Sequence, residues 1–174
     1  MSESNTMSNE KSQENNLDLV AISELKGYSF IIPYQQRGYK WTKNNITLLL
    51  DDLKQFIESD EKMYCLQPVA VVEKEDKQYS LIDGQQRLTS LYLIYKYLVA
   101  DGEPLTNETE LFHYTYERDT DNERKEFLRN EIDREVDTNI DFFYMSRAYL
   151  AIKEWFKDKE ALKGRFTDLI NAHR

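Results

Sequence analysis

Apolar and polar positions along this chain switch between two periods, and the switches mark out its elements. Residues 1–16 hold almost nothing apolar and are expected to form a flexible tail, whereas apolar side chains recur at loosely helical spacing over residues 17–25. Gly27 then supplies a stop, and Tyr28-Ser29-Phe30-Ile31-Ile32 reads as a short strand ended by Pro33. Behind Thr42, a candidate N-cap, Ile46, Leu49, Leu50, Leu53, Phe56 and Ile57 fall at offsets 0, 3, 4, 7, 10 and 11, one apolar face of a helix. Two β-rich runs, residues 64–73 and 78–83, flank the polar Lys74-Glu75-Asp76-Lys77 and predict a hairpin. Leu88, Leu91, Tyr92, Tyr95, Leu98 and Val99 repeat the same offsets and predict a second amphipathic helix, closing at Asp101-Gly102. Beyond Pro104, residues 111–116 predict one more strand, and Phe142, Met145, Tyr149, Ile152 and Phe156 a helix within a strongly charged, helical stretch.

These elements predict an α+β protein in three parts: a tail over 1–16, a domain over 17–105 and a helical extension over 106–174. No turn or cap signal precedes Arg174, so the extension is expected to be truncated and the chain to be one piece of a longer protein.

Composition narrows the function classes. The 40% of hydrophobic residues is enough for a real core, so the mean hydropathy of -0.73 reflects abundant charge rather than a lack of apolar material. No apolar run approaches the roughly 18 to 20 residues of a membrane-spanning helix, and the N-terminus lacks a secretory signal, so a cytoplasmic protein without a membrane partner is expected. Cys65 is alone and the histidines are only His113 and His173, which disfavours a disulfide or a structural zinc site. The net charge of -9 argues against the whole surface being a nucleic-acid footprint. Residues 26–99, however, carry 10 basic against 9 acidic side chains, a net of +1, and are the segment least hostile to an anionic ligand.

That segment holds the candidate chemistry. Asp83-Gly84-Gln85-Gln86-Arg87 lies between the strand Tyr79-Ser80-Leu81-Ile82 and a helix expected from Leu88 onward. A helix N-terminus presents unpaired N–H groups and partial positive charge, which attract anions. Gly84 lacks the Cβ that would hold a phosphate away from the backbone, and Arg87 adds a planar charged fork matched to phosphate oxygens. Asp83, at the strand's carboxyl end, can cap the helix or hold Mg²⁺ beside the phosphates; Gln85 and Gln86 can orient a water or read a sugar or base. If the site turns over, Asp83, Gln86 and Arg87 are the candidate catalytic residues. The same five residues also suit a purely structural strand-to-helix turn with an Asp cap, a turn Gly and a surface Arg.

A second cluster, Ile32-Pro33-Tyr34-Gln35-Gln36-Arg37-Gly38-Tyr39-Lys40-Trp41, leaves the first strand and suits a pocket rim. Arg37 can meet phosphate; Tyr39 and Trp41 can stack on a base or anchor the loop to the core, and anchoring is the expected role.

The two clusters together, with Asp-Gly-Gln-Gln-Arg-Leu-Thr some forty residues after the Gln36-Arg37 pair, resemble the N-terminal domain of GmrSD-type modification-dependent restriction endonucleases, and the SspE phage-defence proteins look similar. The likeness runs from about residue 17 to 99 and more weakly to 156. It departs from the family at Gln35, where an aromatic is usual, and at Gln67-Pro68, where a Gly is more common. The resemblance implies a ParB-like, sulfiredoxin-like mixed sheet flanked by helices. It also implies binding, and hydrolysis, of a nucleoside triphosphate with Mg²⁺ that regulates DNA cleavage. On that pattern Asp83, Gly84, Gln85, Gln86 and Arg87 match the nucleotide motif and Gln36 and Arg37 its companion pair. Nothing after Phe156 resembles the histidine and asparagine nuclease motif such proteins commonly carry, so DNA and a separate nuclease part or subunit are the expected partners. Cys65 lies on the predicted hairpin, away from the turn, which disfavours a cysteine-nucleophile phosphoryl transfer. Two further readings remain open: a non-catalytic interaction module, and a ParB-fold DNA binder or nuclease.

Overall fold

The structure, a computed structural model, describes residues 16–75, 77–100, 105–117, 123–132 and 139–172. Strands β1 (Ser29–Ile32), β2 (Ala70–Glu75), β3 (Gln78–Asp83) and β4 (His113–Tyr116) form one mixed sheet in the order β2-β3-β1-β4. β1 runs parallel to both β3 and β4, while β2 and β3 make the expected antiparallel hairpin. The protein is therefore α+β, with its three parallel strands delivering their carboxyl ends to one edge.

The helices are α1 (Lys43–Glu58), α2 (Gln85–Ala100), the single turn α3 (Glu123–Glu126) running into a π turn at Phe127–Glu131, α4 (Ile140–Phe156) and α5 (Glu160–Asn171). Thr42 precedes α1 as predicted, but Asn45 does the reaching: its Oδ1 accepts from Thr42 N at 3.0 Å and from Thr42 Oγ1 at 2.9 Å. At α4 the cap is Asn139, whose Oδ1 accepts from the backbone N–H of Asp141 at 2.9 Å and of Phe142 at 3.4 Å.

Several expectations meet a different outcome. The helical spacing of residues 17–25 yields only a 3-10 turn, Ile22–Leu25, with Leu17 81% exposed. So few residues cannot offset the cost of nucleating a longer helix. The first hairpin strand starts at Ala70 rather than at 64, because β3 ends at Asp83, the partner of Ala70, and offers nothing further to pair. Tyr64 packs on Phe56 instead, with ring centroids 5.6 Å apart. α2 starts at Gln85, not Leu88, since Leu88 N bonds Gly84 O at 3.0 Å and brings Gln85, Gln86 and Arg87 into the first turn. The second helix is also not amphipathic in place. Of its predicted face, Leu88, Leu91, Tyr92 and Tyr95 are buried, Leu98 is half-buried and Val99 is exposed, while Thr89, Ser90, Leu93, Ile94 and Lys96 on the other sides are buried too. One side meets the sheet, with Tyr92 against Phe112 and Tyr114 and Thr89 Oγ1 donating to Tyr114, and the others meet α4 and α5. The predicted stop at Asp101-Gly102 lies outside the described residues.

The shared core runs from Phe30 and Ile32 through Leu50, Leu93 and Phe112 to Ile152, Phe156 and Phe166. α4 is tied to α1 by Trp155 Nε1 donating to Asp51 Oδ1 at 2.9 Å and by Lys43 with Glu154 at 2.6 Å.

Candidate functional site

The parallel edge gathers both sequence clusters. Residues 33–38 leave β1, Asp83-Gly84 leaves β3 and Glu117 leaves β4, all beside the N-terminus of α2. In sheets with parallel strands this is where ligands are generally held. Backbone conformation makes the bend: Gly84 has φ +100°, a region unfavourable to residues with a side chain. A Cβ there would meet Val69 Cγ2 at 2.9 Å and Val69 Cα at 3.1 Å. The missing side chain therefore makes room for Val69, where the sequence suggested room for a phosphate.

Side-chain amides then lock the loops around the bend. Gln36 Nε2 donates to Ile82 O at 2.7 Å, latching the β1 loop to the end of β3. Gln86 accepts from Lys40 N at 2.8 Å through Oε1 and donates to Gly38 O at 3.2 Å through Nε2. Arg87 Nη1 donates to Gln67 Oε1 at 2.8 Å, Nη2 donates to the Pro68 carbonyl, and Nη2 passes Asp83 Oδ2 at 3.6 Å. Its fork thus grips the Gln67-Pro68 segment that leads into β2. Three of the predicted site residues, Gln36, Gln86 and Arg87, are braces in this arrangement. Tyr39 has the anchoring role expected of it: it is fully buried with its hydroxyl 2.9 Å from Ser90 Oγ, and burial holds its phenol proton well above the ordinary range. Trp41 is half-buried against the core.

Besides Arg87, whose buried Nε has no hydrogen-bond partner, three predicted residues keep uncommitted polar groups among the described residues. The Asp83 side chain is 79% exposed and, among the described residues, has only the long approach to Arg87. Arg37 is exposed, with no hydrogen-bond or ion-pair partner among the described residues. Gln85 is 5% exposed, and its buried carboxamide oxygen has no hydrogen-bond partner.

Arg37 and Gln85 line one narrow cleft together with Gly38, Tyr116, Arg124 and Asp141. The last three carried no sequence signal for a site. Asp141 enters because the Asn139 cap sets the first turn of α4 against the loop at Gly38, where a Cβ would lie 1.6 Å from Asp141 Oδ1. Arg124 Nε and Nη2 reach Asp141 Oδ2 at 3.1 and 3.0 Å. The free space, about 10 Å³, takes a single water-sized group. A larger cavity of about 320 Å³, lined by Lys26, Tyr95, Ile170 and others, contains none of the motif residues.

The order of these parts along the chain is that of a known domain: the GmrSD restriction endonuclease N-terminal domain family matches residues 17–172. The chain belongs to that family. As a GmrSD N-terminal domain it is part of a DNA-acting restriction endonuclease system. No curated protein matches the chain, and no solved structure does either. Among the described residues of this GmrSD domain no helix is long and apolar enough to cross a membrane, and no three His, Cys, Asp or Glu side chains converge as a metal site. A Mg²⁺ ion at Asp83 would accordingly take most of its oxygens from phosphates and water, which is how Mg²⁺ is commonly held beside nucleotides.

Proposed function

We propose that this GmrSD N-terminal domain binds a nucleoside triphosphate at the parallel edge of its sheet, and that occupancy regulates DNA cleavage by a nuclease part or subunit. The observation that carries the reading is a coincidence at one point. The first turn of the 16-residue α2, Arg37, which has no partner among the described residues, and Gln85, whose side-chain oxygen is an orphan, all border the same cleft. The amide end of a helix and a guanidinium are two independent means of attracting phosphate.

The residues divide into those that touch the ligand and those that shape its site. Arg37 and the first-turn amides hold phosphates, and Asp83 holds the Mg²⁺ that neutralises them. Gln86 and Arg87 keep the 38–40 and 67–68 segments in place. Hydrolysis with Gln86 or Arg87 as a catalyst requires those bonds to open first, so binding is the primary activity and turnover a further step. A ParB-like topology and an anti-phage setting in the cell are part of this proposal.

Titration with ATP, GTP, CTP and UTP, each with Mg²⁺, read by thermal shift and calorimetry, tests it. Stabilisation by at least one nucleotide, weakened about tenfold or more in Arg37→Ala, is expected, because a charge-assisted hydrogen bond is worth about 1.5–3 kcal/mol. No shift with any of the four overturns the reading in favour of an interaction module. Duplex binding by this chain that weakens steeply with salt points to a DNA-binding module instead.

A further inference from the structure

The cleft brings Arg37 and Arg124 together with Gln85 and Asp141, and one residue joins it to the helix end. Gln85 contributes a backbone N–H to the first turn of α2 and a side chain to the cleft wall. Its carboxamide oxygen is buried without a donor, a state that buried polar groups rarely keep. Asp141 lines the same cleft, with Arg124 on Oδ2 and with Oδ1 lying over Gly38. Gln85 and Asp141 therefore both line a space that admits one small group.

We infer that this space receives a single sugar hydroxyl of the bound nucleotide, and that the site thereby selects ribonucleotides over their deoxy counterparts. The inference rests on the nucleotide reading above. A hydroxyl suits the cleft on three counts. It is the size of the water-sized space, it brings the donor that Gln85 lacks, and it projects from a tetrahedral carbon, so the ring carrying it stays outside. A base amino group would have to bring its flat ring into a space of about 10 Å³. Position favours the sugar as well. The residue that reads the group is itself in the turn that meets the phosphates, and the sugar is the part of a nucleotide nearest them. No proton or bond changes hands; the selectivity is a difference in binding, enforced because the deoxy ligand leaves the Gln85 oxygen unpaired.

The experiment compares ATP, GTP, CTP and UTP with their 2′-deoxy and 3′-deoxy forms, and with inorganic tripolyphosphate, on the full chain with Mg²⁺. The expected result is that removing one of the two hydroxyls weakens binding about tenfold or more while removing the other does little. Gln85→Met, close in size and without the carboxamide, is expected to bind ribo and deoxy forms alike while still binding tripolyphosphate. Equal affinities for ribo and both deoxy forms in wild type overturn the inference and leave the nucleotide reading standing. Persistence of the preference in Gln85→Met overturns the assignment to Gln85. Absence of binding by every nucleotide overturns both the inference and the reading beneath it.

Discussion

At Gly38 an added Cβ would fall 1.6 Å from Asp141 Oδ1, so Gly38→Ala must push the carboxylate off its place and weaken its pairing with Arg124. The expected cost is about 1–3 kcal/mol by chemical denaturation. In an Asp141→Ala background the same substitution should cost much less, and equal costs in the two backgrounds would show that the clash is not with Asp141. Gly84→Ala faces both φ +100° and the Val69 side chain, and is expected to lose about 2 kcal/mol or more. The two arginines separate by readout. Arg87→Ala removes the ties to Gln67 and Pro68 and should lower the melting temperature without ligand. Arg37→Ala, at an exposed residue without a partner among the described residues, should leave melting unchanged and lower only ligand affinity. At this scale residue types were legible and contacts were not. Asp, Gly, Gln and Arg between a strand and a helix announced a special turn. That Arg87 turns back to Pro68 while Arg37 faces out depends on where a loop twenty positions away comes to lie.

Among the elements, α4 has the clearest single dependence. Asn139 is its cap, and the first turn it sets carries Asp141 to the cleft. Asn139→Ala is expected to lower stability by about 1 kcal/mol in a denaturant titration, and a null effect would mean that the cap is replaced by water or another side chain. Element positions were readable where one repeating pattern governs a stretch: the strand before Pro33, the α1 face of Ile46, Leu50 and Leu53, the hairpin turn and the helix through Met145 and Ile152. They were misread where the limit lies in another element. Residues 64–69 have strand-forming side chains but no partner strand beside them. The periodicity of α2 showed one apolar side, whereas the burial of Ser90 and Lys96 depends on segments from elsewhere in the chain, the loop at Tyr39 and the π turn at Arg129, and α4 and α5 also pack on the helix. Ser90 is satisfied there by Gln86 O at 2.8 Å and Tyr39, and Lys96 by the Arg129 carbonyl.

On the scale of the whole molecule, a buried polar cluster distant from the cleft links three elements. Glu110 accepts from Tyr92 on α2 at 3.1 Å, from Arg129 Nε in the π turn at 3.1 Å and from His113 on β4. Burial alone would raise the Glu110 pKa, but the hydrogen bonds and charges of Arg129 and His113 outweigh it and hold the carboxyl below the ordinary 4.5. A carboxyl depressed on folding stabilises the protein above its unfolded pKa, and that contribution disappears as pH falls below about 4.5 through the folded value. Stability measured against pH should therefore drop on the acid side, and Glu110→Gln, expected to cost about 3–5 kcal/mol at neutral pH by breaking a buried pair, should flatten that drop. An unchanged acid limb in Glu110→Gln would assign the drop to other carboxylates. The sequence by itself determined the α+β class, the places of most helices and strands, the turn that carries Asp83 to Arg87 and the family, because each is written in local spacing or in a contiguous motif. Tertiary structure alone decided the strand order, the all-round burial of the middle of α2, and the meeting of Arg124 and Asp141 with Gly38 and Gln85. Those depend on which distant surfaces bury one another, and packing free energy is a property of pairs of surfaces that no single stretch of sequence contains.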